Sequence, residues 1–174
     1  MQKFHFSAKL LARQALIAAT YTVLTYTAQG FAYGPIQFRY SELLNWLAFL
    51  DPKNVIGLTV GCFLSNLSSP LGPIDICFGT LHTLIAVLFM AKMTSKYLAS
   101  LGPALFSFII AGELTLIGEI PPTLFLETYG TIALSEFIIV AVIGLPLLSL
   151  LARFPAFTES VVDRTTLPVK AVKL

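Results

Sequence analysis

Long apolar runs broken by short polar punctuation dominate this chain, and their spacing predicts helices that cross a bilayer. Segments 11–32, 54–68, 76–93, 101–119 and 130–153 are apolar, over lengths at or near the ~20 residues a helix needs to span the hydrocarbon core. Between the first two lies "SELLNWLAFL" (41–50), half a crossing. Ser41 is a candidate cap for it, and Asp51-Pro52 stops it because proline lacks a backbone donor. Packed among the others as a short span, this piece brings the total to six. Lying on the surface, it leaves five.

The basic residues separate the two counts. With six spans and the N-terminus inside, Lys3, Lys9, Arg13, Lys53, Lys92, Lys96, Arg153, Arg164, Lys170 and Lys173 all fall on the inner face, ten of the eleven basic residues, and Arg39 alone falls outside. Five spans would move Lys53, Lys92 and Lys96 outward. The positive-inside bias therefore predicts an all-α membrane protein of six transmembrane helices with both termini cytoplasmic. The membrane domain covers 1–153. The tail, 154–174, is polar enough to be a cytoplasmic extension without a fold of its own. The apolar run after Lys3, Lys9 and Arg13 is long enough to span, and reads as a retained first helix rather than a cleaved leader.

Composition agrees with a membrane class. Only 11% of the 174 residues are charged and 56% are hydrophobic, whereas soluble domains carry about 25% charged residues. A net charge of +2, spread along the chain, gives no footprint for nucleic acid. There is no GxxxxGK[ST], no HExxH, no serine-nucleophile motif and no cluster of metal ligands, so neither a catalytic residue nor a metal is expected. Cys62 and Cys77 lie in apolar segments and read as small buried hydrophobes. His82 reads as a hydrogen-bonded core residue rather than a ligand.

Against this background the polar residues stand out. "PIQFRYSELLNWLAF" (35–49) puts Gln37, Arg39 and Glu42 within six residues at the outer junction of the first two spans. Asn66 is near the outer end of the third span and Asp75 near the outer start of the fourth. Glu113 lies six residues before Glu119, and Glu136 six after Gly130. At 1.5 Å rise per residue each is then ~9 Å below the outer boundary. An ionised side chain at mid-membrane costs about 2.5–3.5 kcal/mol on insertion scales, so such groups face a cavity or a partner. Together they predict a polar pocket open to the outside. Taken singly, Arg39 can pair with Glu42, and Glu113 can be protonated or bonded to a serine. Two further readings use the same acids: Glu113 and Glu136 as the acid–base pair of a small intramembrane enzyme, or a scaffold or channel subunit whose acids only balance Arg39.

Smaller features complete the pattern. Ala8, Ala12, Ala15 and Ala19 form a small-residue stripe on the first helix, and Gly57, Gly61 and Ser65 a second that packs internally. Trp46, Tyr33, Tyr40 and Tyr129 are predicted near the interfaces. Pro121-Pro122 ends the fifth helix, and Pro146 kinks the last.

The string "GPIQFRYSELLNWLAFLDPKNVIGLTVGCFLSNLSSPLGPIDICFGTL", with "SEFIIVAVIGLPLL" near the end, resembles the QueT family of queuosine-precursor transporters, substrate-binding S components of energy-coupling factor (ECF) transporters. The likeness covers most of 12–151, and QFR-x-SE is its most specific element. Two departures are Ser135, where the family pattern has glycine, and "GELTLIGE", where it is more often apolar. The resemblance implies a six-helix subunit that captures substrate from outside and topples in the membrane. Its partners would be a transmembrane coupling subunit, docked on Ala15 and Ala19, and two cytoplasmic ATPases that bind the ATP, so the chain itself needs no cofactor. The implied substrate is a 7-deazaguanine, in cyano or aminomethyl form or as queuine; another flat heterocycle, a pterin or a vitamin, is the rival within transport. The implied binding set is Gln37, Arg39, Glu42, Trp46, Asn66, Asp75, Glu113 and Glu136. Glu42 or Glu136 would read the purine edge, Asp75 would meet a cationic substituent, and Phe38, Tyr40, Trp46 or Phe78 would wall the ring.

Overall fold

The computed structural model of the chain describes residues 7–28, 30, 32–33 and 37–162. Lys3, Arg164, Lys170 and Lys173, and positions 34–36 of the quoted stretches, lie outside the described residues. Among the described residues every regular element is helical.

Helix α1 (Ala8–Thr27) starts where the Ser7 hydroxyl accepts the Leu10 N–H at 3.2 Å. Its buried positions Gln14, Ile17, Ala18, Tyr21 and Thr25 follow a helical repeat and face α3 (Val55–Asn66). Glycines set that contact. A Cβ on Gly61 would stand 2.7 Å from the Tyr21 Cβ and 2.9 Å from the Ala18 carbonyl, and one on Gly57 2.8 Å from the Gln14 carbonyl. The predicted stripe of Gly57, Gly61 and Ser65 thus packs inward, and all three are buried. The opposite face of α1, with Ala8, Ala12, Ala15 and Ala19, is exposed.

The 3₁₀ segment Tyr40–Asn45 runs into α2 (Trp46–Leu50), whose five residues are all buried. The piece lies inside the bundle, not on its surface. Ser41 is not its cap, because the segment begins one residue earlier without a side-chain cap. The Asp51-Pro52 stop is as expected: the Asp51 carboxylate accepts the Lys53 N–H at 2.9 Å and starts the next turn.

Among the described residues, three helical stretches are long and apolar enough to cross a membrane: Pro73–Lys92, Lys96–Leu116 and Pro122–Leu151. The first is α4. The second comprises α5 (Lys96–Ala99), α6 (Gly102–Phe106) and α7 (Phe108–Leu116). It ends at Gly118, whose φ of 81° suits glycine and lets Glu119 N–H reach back to the Leu114 carbonyl. The third comprises α8 (Phe125–Glu136), a π-helical segment Phe137–Ile143 and α9 (Gly144–Leu151). It begins at Pro122, earlier than the 130 expected, because "ETYG" reads as a loop while proline is well suited to a first helical turn. Glu136 therefore sits near the middle of a long helix, and its depth cannot be counted from Gly130. The irregularity near Pro146 takes the form of a widened π turn upstream of it. There the Gly144 N–H donates to Ile139 and Ala141, and the Val140 carbonyl accepts the Trp46 indole at 3.0 Å.

The tail differs from expectation. Residues Pro155–Val161 form α10, and Phe157, Val161 and Val162 pack on the main core. The Val161 carbonyl accepts from Arg13 Nη1 at 3.1 Å and Asn54 Nδ2 at 2.8 Å, and Arg13 also pairs with Asp51 at 3.2 Å. The polar sequence hid an apolar edge. Cys62 is buried as expected, but Cys77 is exposed on α4.

Candidate functional site

The site is built outward from Glu42. In a 3₁₀ helix residues three apart eclipse one another, so Asn45 stands over Glu42 and its amide donates to Glu42 Oε2. The other oxygen, Oε1, accepts the Tyr21 hydroxyl at 2.5 Å. One turn along α1, Thr25 bonds to the Ser41 hydroxyl at 2.8 Å, so the segment is tied to α1 twice. Glu42 is thus fully buried yet fixed in direction by two donors, with a lone pair left on each oxygen.

Arg39 precedes this segment and is buried. Its Nε donates to the Ala32 carbonyl at 2.6 Å, and its guanidinium lies over the Tyr33 ring, 4.9 Å from the centroid. Its Nη2 points toward Asp75 Oδ2 at 3.8 Å. The ion pair is therefore with Asp75, not with Glu42. Asp75 lies in the first turn of α4, where the helix dipole favours an acid. Asn66, at the end of α3, donates to the Asp75 backbone carbonyl at 3.2 Å.

Glu113 on α7 is fully buried, and no serine reaches it: neither carboxylate oxygen has a hydrogen-bond partner. Its helix packs against α4, which carries Asp75. Glu136, at the end of α8, is buried, and its Oε2 is also unpartnered. Gln37 Nε2, Arg39 Nη2, Asn45 Oδ1, Asn66 Oδ1 and both Asp75 oxygens are buried without hydrogen-bond partners too. Each such atom costs about 1–3 kcal/mol if left dry and unpaired. Native interiors hold few of them, so a group gathered around Arg39 marks a place equipped to bond to something else. Acceptors predominate, which suits a guest rich in N–H groups.

Seven of the eight expected residues, Gln37, Arg39, Glu42, Asn66, Asp75, Glu113 and Glu136, are buried polar groups, and Trp46 is the one with a different place. It is buried in the apolar core, stacked edge-on against Phe49 with its N–H committed to Val140. Its work is to hold α2 against the π-helical segment. Phe38 packs on Tyr40 with centroids 5.6 Å apart, leaving Tyr40 exposed. His82 is a core residue, bonded through Nε2 to the Pro103 carbonyl at 3.0 Å. Among the described residues no three His, Cys, Asp or Glu side chains could jointly hold a metal ion. Sequence reasoning missed Tyr21 and Asn45, and expected Tyr33 only as an interface aromatic, not under Arg39. Only Asn45 left a signal, three residues from Glu42.

The sequence pattern of the QueT transporter family matches residues 11–153. The chain is also similar to the queuosine precursor transporter QueT of Lactococcus lactis subsp. cremoris (strain MG1363), with 39% identity over 140 residues, covering 71% of this chain and 80% of the relative. No solved structure matches the chain significantly. A match across nearly all the helical part, with residues Gln37 to Glu136 inside it, settles the family: the chain belongs to the QueT transporters.

Proposed function

We propose that this protein is the substrate-capturing S component of an ECF-type transporter, taking up queuosine precursors of the 7-deazaguanine class. The observation that carries the reading is the set of buried, unpartnered polar atoms around Arg39. A guanine-like edge presents an N–H and an NH₂ side by side, which a carboxylate accepts in bidentate fashion. Glu136, with an open oxygen, and the pre-aimed Glu42 beside it take that edge. The ring carbonyl accepts from Gln37 Nε2 or Arg39 Nη2, as at guanine edges in nucleic acids. Nothing in this chemistry alters the guest, in keeping with a transporter rather than an enzyme.

In this reading six segments cross a bacterial plasma membrane, both termini are cytoplasmic, and the site opens outward. Tyr40–Leu50 serves as the short second span, about 20 Å long from its 3₁₀ and α rises. Lys53, Lys92, Lys96 and Arg153 then lie inside. The exposed alanines Ala15 and Ala19 receive the coupling subunit, whose two ATPases supply the energy.

Mass spectrometry of small molecules that co-purify in detergent, with thermal unfolding against added compounds, tests the assignment. A recovered 7-deazaguanine that raises the melting temperature supports it. Stabilisation by a pterin or vitamin alone overturns the substrate. Recovery of a chemically altered ligand overturns the transport role.

A further inference from the structure

The widened turn of the last long helix is held open by one side chain. In an α-helix the Gly144 N–H donates to the carbonyl four residues back, that of Val140. Here it donates to Ile139 and Ala141 on either side, and the Trp46 indole takes the Val140 carbonyl at 3.0 Å. Glycine makes room for that exchange: a Cβ at 144 would stand 2.5 Å from the indole nitrogen and 3.2 Å from the Ile139 carbonyl. Trp46 therefore stands in for a backbone donor. The widened and the regular bonding patterns differ in which N–H occupies one oxygen.

This contact lies between two parts of the site. Trp46 directly follows the 3₁₀ segment Tyr40–Asn45, which carries Glu42 and packs on Phe137–Ile143. That π-helical segment begins directly after Glu136. On either side the helix is anchored, by Ile132 in one apolar cluster and by Leu148 in the other. An extra residue confined between anchored ends can travel along the helix but not leave it. When it moves one turn toward the N-terminus, the residues it passes, Glu136 among them, rotate by about 100°, the angle of one residue. We infer that Trp46, Val140 and Gly144 form a register lock that governs substrate release. While the indole holds Val140, the widened turn stays C-terminal to Glu136 and the acid faces the site. When the 3₁₀ segment withdraws the indole, Gly144 recovers Val140, the widened turn moves up, and Glu136 rotates away from the substrate. The inference rests on the proposed function and adds the release step.

Deletion of Val142, an exposed residue of the widened turn, tests it. The Gly144–Ile139 bond then spans four residues, and the segment closes as regular α-helix with both flanks facing as before. Affinity for 7-cyano-7-deazaguanine is expected to stay within about threefold. Uptake by cells carrying the partner subunits is expected to fall at least about tenfold, because no extra residue is left to move. Uptake equal to that of the unaltered protein overturns the lock. A second measurement decides the matter should the deletion variant not fold. Trp46 is the chain's one tryptophan, so ¹⁵N-tryptophan labelling gives a single indole N–H resonance. In the unaltered protein, saturating 7-cyano-7-deazaguanine is expected to slow its exchange with solvent, since the locked register is the one that binds. Gly144→Ala, which crowds the indole off Val140, is expected to add a second resonance and to speed ligand dissociation at least about threefold. A single unshifted resonance in Gly144→Ala, with parental dissociation, overturns the lock and leaves the proposed function standing. Failure of the unaltered protein to bind any deazaguanine removes both.

Discussion

Tyr21 and Glu42 are joined by a 2.5 Å hydrogen bond that ties the middle of the first helix to the 3₁₀ segment Tyr40–Asn45. The phenol is fully buried, and the carboxylate it aims has one further donor, Asn45. Such an arrangement fixes an acceptor before a guest arrives, which is how a site avoids reorganising on binding.

Tyr21→Phe removes the donor and keeps the ring. Ligand affinity is expected to fall by roughly tenfold, from the ~1.5–3 kcal/mol of a hydrogen bond to a charged group, with helical content by circular dichroism unchanged. Affinity within twofold of the parent would show that Glu42 is aimed by other contacts.

Arg39 and Asp75 form a buried pair at 3.8 Å, so removing one partner strands the other. Arg39→Met or Asp75→Asn alone should lower thermal stability in detergent by about 3–5 kcal/mol, and the double variant by less than the two losses added. Additive losses would show that the two charges do not depend on each other.

Trp46→Phe tests the place found for the indole. It leaves the Val140 carbonyl without the 3.0 Å bond and opens space beside Gly144, where an added Cβ would meet the indole nitrogen. A stability loss of about 1–3 kcal/mol is expected, with ligand affinity changing less than in Tyr21→Phe. A larger effect on affinity than on unfolding would return Trp46 to the pocket wall.

What could be read in the sequence, and what could not, follows from contrast. Gln37, Arg39, Glu42, Asp75, Glu113 and Glu136 are conspicuous because charge and amide groups are rare in apolar helices, and all are buried in the structure. Tyr21 is as important and was invisible, since a tyrosine among "AATYTVL" looks like any apolar helix residue. The partner of Arg39 was out of reach as well, because choosing Asp75 over Glu42 depends on how α4 packs, not on sequence distance. The π-helical segment leaves no periodic signature at all. The last long helix starts earlier than expected because Pro121-Pro122 and "ETYG" read as a loop, and α10 is hidden because its apolar contacts come from a few residues, Phe157, Val161 and Val162.

Arg13 links α1, the turn after α2 and the Val161 carbonyl of α10. Arg13→Gln should make the bond after Phe157 or Val161 cleavable by added protease in detergent, while ligand affinity is retained. Unchanged resistance would show that Asn54 and the apolar contacts of Phe157, Val161 and Val162 hold α10 without Arg13.

Substituting Ala15 and Ala19 with leucine places bulk on the exposed face of α1. Uptake by cells carrying the partner subunits should fall sharply, with ligand affinity of the isolated chain intact. Full uptake would remove that face from the proposed assembly.

Helix α1 presents Tyr21 and Thr25 on one side and the alanines on the other. A rod of this kind has no joint between its two faces. In the proposed assembly, any tilt or slide that occupancy imposed through the phenol would reach the small-residue face on the far side of the same backbone without a relay.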